Sequence, residues 1–218
     1  MATTSNWKLR RLAARAKRVQ ARRSSEAPVL AAYSKTLPTK ANAFIAAYDA
    51  AAKYENTWRR EMKEGKGAVA KLVAQIRSWL PLLARDVPQF DTSSFADKPD
   101  VPDDILEDGN RLLEVLDEAT DAEGKPLDYA AAANAALTEA LAAGNKEWSE
   151  AEAADSKYQK LLSEVRATAA VFDLELQTFR RSLSHVAGRN DKDFQKLRVE
   201  RASQKDEEDD PEEGAPPW

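Results

Sequence analysis

Residues 127–186 read LDYAAAANAALTEALAAGNKEWSEAEAADSKYQKLLSEVRATAAVFDLELQTFRRSLSHV. Steps of alternating three and four along this stretch land on Leu127, Ala130, Asn134, Leu137, Leu141, Gly144, Trp148, Ala151, Asp155, Tyr158, Leu162, Val165, Ala169, Phe172, Leu176, Phe179, Leu183 and Val186. Fifteen of these eighteen positions are apolar, and the exceptions are Asn134, Gly144 and Asp155. An apolar seam held at that spacing predicts one long helix packed along another.

Working outward toward the N-terminus, the same spacing joins Leu37, Ala41, Phe44, Tyr48, Ala51, Glu55, Trp58, Met62, Gly65, Val69, Leu72, Ile76, Trp79 and Leu83. A second long helix over about 37–85 follows, with Pro38 placed in its first turn. Gly65 and Gly67 each cost ~1 kcal/mol relative to Ala inside a helix. The phase of the seam carries through them unbroken, so the helix is predicted to be continuous there. Pro81 removes a backbone donor and crowds the carbonyl of Arg77, which predicts a kink or an end.

Between the two seams, Pro88, Pro99 and Pro102 with Asp91-Thr92-Ser93-Ser94 read as a loop from which Phe90 and Phe95 fold back. Asp104 and Glu107 have the spacing of a capping box, opening a helix to about 121 with Ile105, Leu112, Leu116 and Ala119 on its apolar side. Pro126 is expected to open the last long helix, which runs to about 187. Beyond Gly188, Phe194 and Leu197 mark one more short helix. At the other end, Leu9, Leu12, Ala16 and Val19 share one face of a helix that begins near Trp7 and ends at Arg22–Ser25.

The expected fold is all-α: an elongated antiparallel helical bundle, or intramolecular coiled coil, on two long helices, with a disordered acidic C-terminal tail. Three segments are expected: a basic N-terminal helix (1–27), the elongated bundle (28–200) and the tail (201–218).

Composition narrows the function by exclusion. The 218 residues contain no cysteine, which removes disulfides, thiolate nucleophiles and thiolate metal sites and fits a reducing, cytoplasmic setting. No run approaches the ~20 apolar residues of a membrane span. The basic N-terminus lacks the apolar block of a secretory signal. The net charge of −4 conceals a strong polarity. Residues 1–23 carry eight bases and no acid, whereas residues 206–213 carry seven acids and no base.

His185 is the only histidine and is expected to sit at a helix C-terminus facing the dipole. Asn134 and Asp155 either fix the register of the seam or face solvent. Glu150, Glu152, Asp173 and Glu175 read as solvated helix faces rather than as a metal site, and Trp58, Trp79 and Trp148 as core. No catalytic, cofactor-binding or metal constellation is legible, so no enzyme activity and no cofactor are expected.

Two segments remain as binding candidates. Lys8, Arg10, Arg11, Arg15, Lys17, Arg18, Arg22 and Arg23 are candidate phosphate contacts for nucleic acid. A membrane surface ranks below that reading, and an organellar targeting helix below both. Pairing of the basic head with acids of the same chain is the structural alternative. Trp218 is the second candidate, as a docking residue. The acidic, proline-containing tail that it ends resembles, in character only and over about ten residues, the partner-docking tips of bacterial single-stranded-DNA-binding proteins. That resemblance implies a terminal aromatic carboxylate offered to a partner's pocket. The function expected from the whole is a non-enzymatic helical scaffold or adaptor that binds an unidentified protein, with self-association included. Nucleic-acid binding through the basic helix is the alternative.

Overall fold

A computed structural model describes residues 6–88, 90–96 and 101–198. Among these the architecture is all-α: α1 (Asn6–Arg23), α2 (Pro28–Ala31), α3 (Tyr33–Asp86), α4 (Ser93–Ala96), α5 (Pro102–Glu118), α6 (Ala130–Ala187) and α7 (Lys192–Lys196). The only β-type pairing among them is an isolated bridge between Thr120 and Pro126. The acidic tail expected over 201–218, Trp218 included, lies outside the described residues.

Contacts divide the chain into two compact units. Of the described residues, those up to Glu55 together with those from Tyr158 to Arg198 form the first, and Asn56–Lys157 the second. Within the first, Leu37, Ala41 and Phe44 of α3 join Val165, Phe172, Leu176, Phe179 and Leu183 of α6 in one core. The heptad spacing puts these side chains on facing stripes, and each large one contributes ~1.5–3 kcal/mol by leaving water. Phe44 stacks on Phe172 at 5.9 Å, and Tyr33 meets Phe179 edge-on at 5.4 Å. As residue numbers rise in α3 they fall in α6, so the two segments run antiparallel. Leu9, Leu12, Ala16 and Val19 of α1, Leu30 of α2 and Leu197 beyond α7 complete the core.

The second unit has its own core. Leu72, Ile76, Leu80 and Leu83 of α3 pack with Leu106, Leu112 and Leu116 of α5 and Leu137 and Leu141 of α6. The seam exception at Gly144 has a steric cause: a Cβ there would stand 3.1 Å from Leu106 Cδ2. Gly65 is likewise a close approach, where a Cβ would stand 2.8 Å from Ala151 Cβ and 3.0 Å from the Glu147 carbonyl oxygen. The other two exceptions are bonded rather than exposed and idle. Trp58 Nε1 donates to Asp155 at 2.9 Å, and Asn134 Nδ2 donates to Asp117 of α5 at 2.6 Å.

The continuity of α3 through Gly65 and Gly67 agrees with the unbroken seam, and the helix also persists five residues past Pro81. Several element ends differ from expectation. Pro38 is the sixth residue of α3, while Pro28 takes the first position of α2; Ala32 between them keeps helical dihedrals (φ −58°, ψ −27°). Helix α5 starts at Pro102, two residues before the supposed capping box. Extended Val101 precedes it, and Asp103 and Asp104 favour its positive end. Pro126 does not open α6. It is held in a turn around Gly124 (φ 77°), where Asp121 accepts the N–H groups of Glu123 and Lys125, so the helix begins only at Ala130. The seam itself stops one step early, because Val186 is exposed. Trp58, Trp79 and Trp148 are half-buried at the margins of the packing rather than central to it.

Candidate interaction surfaces: the basic helix and the outer face of α6

Helix α1 has eighteen residues, and at 100° per residue its side chains sort into three sectors. The inner sector holds Leu9, Leu12, Ala13, Ala16 and Val19, all buried. Five of the eight basic residues are tied to groups of other elements. On one flank, Arg10 makes a fork to Asp49 of α3 at 2.7 and 3.1 Å, and Lys17 donates to Asn42. On the other flank, Arg15 donates to the Lys196 carbonyl at 2.8 Å, Arg22 pairs with Asp193, and Arg23 reaches Asp193 at 2.8 Å and Asp191 at 2.6 Å. Arg23 also binds Glu26 at 2.9 Å. Lys8 lies near the Trp7 ring (6.0 Å to the centroid) and has a further interaction of its own. Arg11 and Arg18 are turned outward, away from the other elements.

The acids that hold the second flank are placed by α7. Asp191 is its N-cap, accepting from the N–H groups of Asp193 and Phe194 at 2.8 and 3.1 Å, and this turn directs Asp193 inward. Burial alone would push the Asp193 carboxyl up, but hydrogen bonds from Arg23 and Arg22 outweigh it and hold the group below the usual carboxylate range. Asp191 is depressed in the same sense by the N–H groups it caps and by Arg23. The reciprocal effect raises Arg23. Among the described residues, pairing with acids of the same chain accounts for three of the eight charges, those of Arg10, Arg22 and Arg23.

What α1 leaves outward is a crest. Trp7 is 46% exposed, with Arg11 lying over its ring at 5.4 Å. Arg11 and Arg18 are exposed, and among the described residues Arg18 bonds only back to the Ala14 carbonyl of its own helix. Among the described residues neither is paired with a carboxylate.

A second surface was not anticipated from the seam. Val171 and Leu174 of α6 are 51% and 69% exposed, and the adjacent Ala167 and Ala170 are exposed too. They lie three and four residues apart on one face, away from Phe172 and Leu176. The signal was present in the sequence as apolar residues out of phase with the seam. Glu175 is not the solvated carboxylate expected of it: it accepts from Lys40 at 2.6 Å and from Thr36, across from α6 to α3. Burial would raise its pKa, but those two bonds lower it. His185 is exposed in the last turn of α6, as its position implied.

No protein-family model, no curated protein and no solved structure matches this chain. Among the described residues no group of three or more His, Cys, Asp or Glu side chains could hold a metal ion. Nor is any helix there long and apolar enough to cross a membrane.

Proposed function

We propose that the chain is a non-enzymatic helical scaffold or adaptor that binds another protein chain, in the cytoplasm. The observation that carries the reading is the exposed Ala167–Ala170–Val171–Leu174 face of α6. A Leu with more than two thirds of its surface in water, flanked by Val and Ala at helical spacing, is the kind of stripe that another amphipathic helix covers at i, i+3 and i+4. The cysteine-free composition supports the compartment. The test is purification from the source with and without nuclease, using the intact chain and a Val171→Lys, Leu174→Lys variant. A stoichiometric protein that survives nuclease and is lost from the variant is the expected result. A partner retained equally by both chains removes this face from the reading.

Nucleic-acid binding through α1 stays as the second reading, supported by the outward Arg11 and Arg18. Phosphate contacts release counterions, so affinity would fall steeply with salt and depend little on sequence. With most bases of α1 already engaged, the salt slope should reflect about two contacts rather than eight. Absence of retention on DNA and RNA at low salt ends this alternative.

A further inference from the structure

We propose that the crest of α1 is a docking surface for the chain's own acidic run, residues 206–213, and that the two form an intramolecular contact. The inference does not depend on whether α1 also meets nucleic acid.

Three observations carry it. The first is complementarity. Residues 1–23 contain eight bases and no acid, and residues 206–213 contain seven acids and no base. No other pair of segments in the chain is so one-sided. The second is vacancy of the right kind. Among the described residues, carboxylates meet Arg10 on one flank of α1, through Asp49, and Arg22 and Arg23 on the other, through Asp191 and Asp193, while Lys17 and Arg15 are taken by Asn42 and the Lys196 carbonyl. Arg11 and Arg18 on the crest are left without one among the described residues, and both are exposed.

The third is the place where the described chain ends. The Lys196 carbonyl is held by Arg15 at 2.8 Å, so the chain leaves α7 beside the middle of α1. Arg11 and Arg18 lie only about 6 and 4.5 Å along the axis from Arg15. From Arg198 to Asp206 the chain can span up to ~26 Å. The acidic run therefore reaches the crest without strain, and tethering supplies it at a high effective concentration. Each exposed pair is weak and screened, so the contact is exchangeable: an anionic ligand or added salt would displace it.

The absence of cysteine makes a direct test clean. An Ala215→Cys variant keeps all seven acids and takes a single nitroxide spin label just beyond them. Amide signals of α1 in the isotopically labelled chain are then recorded at ~0.1 M and at ~1 M salt, where the screening length falls from about 10 to about 3 Å. The expected result is loss of most of the Arg11 and Arg18 amide intensity at low salt, recovered at high salt. It should be abolished by Arg11→Gln with Arg18→Gln, with the helical circular dichroism unchanged. Undiminished α1 signals at low salt, or loss centred on another element, overturns the proposal. A mixture of spin-labelled unenriched chain with unlabelled enriched chain supplies the remaining arm. Equal broadening there would mean that a second copy, not the same chain, supplies the acids, and that also overturns it.

Discussion

At Asp193 two opposed effects meet. The side chain is only 6% exposed, which favours the neutral acid, yet Arg23 and Arg22 bind the carboxylate and win, so its pKa is depressed. A group whose folded pKa lies below its unfolded value contributes stability that is fully present above the unfolded value, about 4 for an aspartate. That contribution disappears as pH falls through the lower, folded value. Asp191 and Glu175 are shifted in the same direction and add to it. Urea midpoints measured across pH 2 to 7 should therefore decline below about pH 4. Asp193→Asn should lower the midpoint at pH 7, through a loss of about 2 kcal/mol in unfolding free energy once the bonds Arg23 keeps to Asp191 and Glu26 are allowed for. The variant should also show a shallower acid decline. An unchanged midpoint at pH 7 would mean that α7 is not fastened to α1 through this residue.

At the scale of a helix, α3 offers an internal control. Gly65 and Gly67 sit one residue apart on the same helix, and replacing either with Ala brings the same gain in helix propensity, ~1 kcal/mol. The space around them is opposite. At Gly65 the new methyl would meet Ala151 Cβ at 2.8 Å and the Glu147 carbonyl oxygen at 3.0 Å, both parts of a helix that cannot simply rotate away. At Gly67 it would meet nothing within 4 Å. Gly67→Ala should raise the thermal midpoint and Gly65→Ala should lower it, with overpacking costing ~1–3 kcal/mol against the propensity gain. Equal and positive shifts in the two melts would show that α6 moves aside at no cost. The same two residues show what was legible beforehand. The seam ran through both because its period is a property of every residue in it, and a long periodic signal averages over single exceptions. Helix ends rest on one or two residues each. Asp104 and Glu107 matched a capping pattern by spacing, but Pro102 at the first position set the real start of α5. The partners of the basic helix were less legible still. Arg23 and Asp193 are 170 positions apart, and charge complementarity at that separation has no period to reveal it.

The molecule as a whole is built unevenly along its sequence. One unit is a single continuous segment, Asn56–Lys157, while the other is assembled from the two ends of the chain. The continuous unit owns a complete core from α3, α5 and α6, and its loop from Pro126 back to Thr120 is fastened locally. Its size, about a hundred residues, is ample for independent folding. The other unit needs α1 and α7, whose contacts with each other span most of the chain and close only after everything between them has been made. A fragment of residues 56–157 should therefore be helical and melt in one cooperative transition, with no binding of a hydrophobic dye at neutral pH. Circular dichroism melts and dye fluorescence on that fragment decide the matter. A helical fragment with a broad, non-cooperative melt and bright dye would mean that the Leu72–Leu112–Leu137 core is too small to hold itself, and that the segments of α3 and α6 beyond Glu55 and Lys157 are required for it to pack.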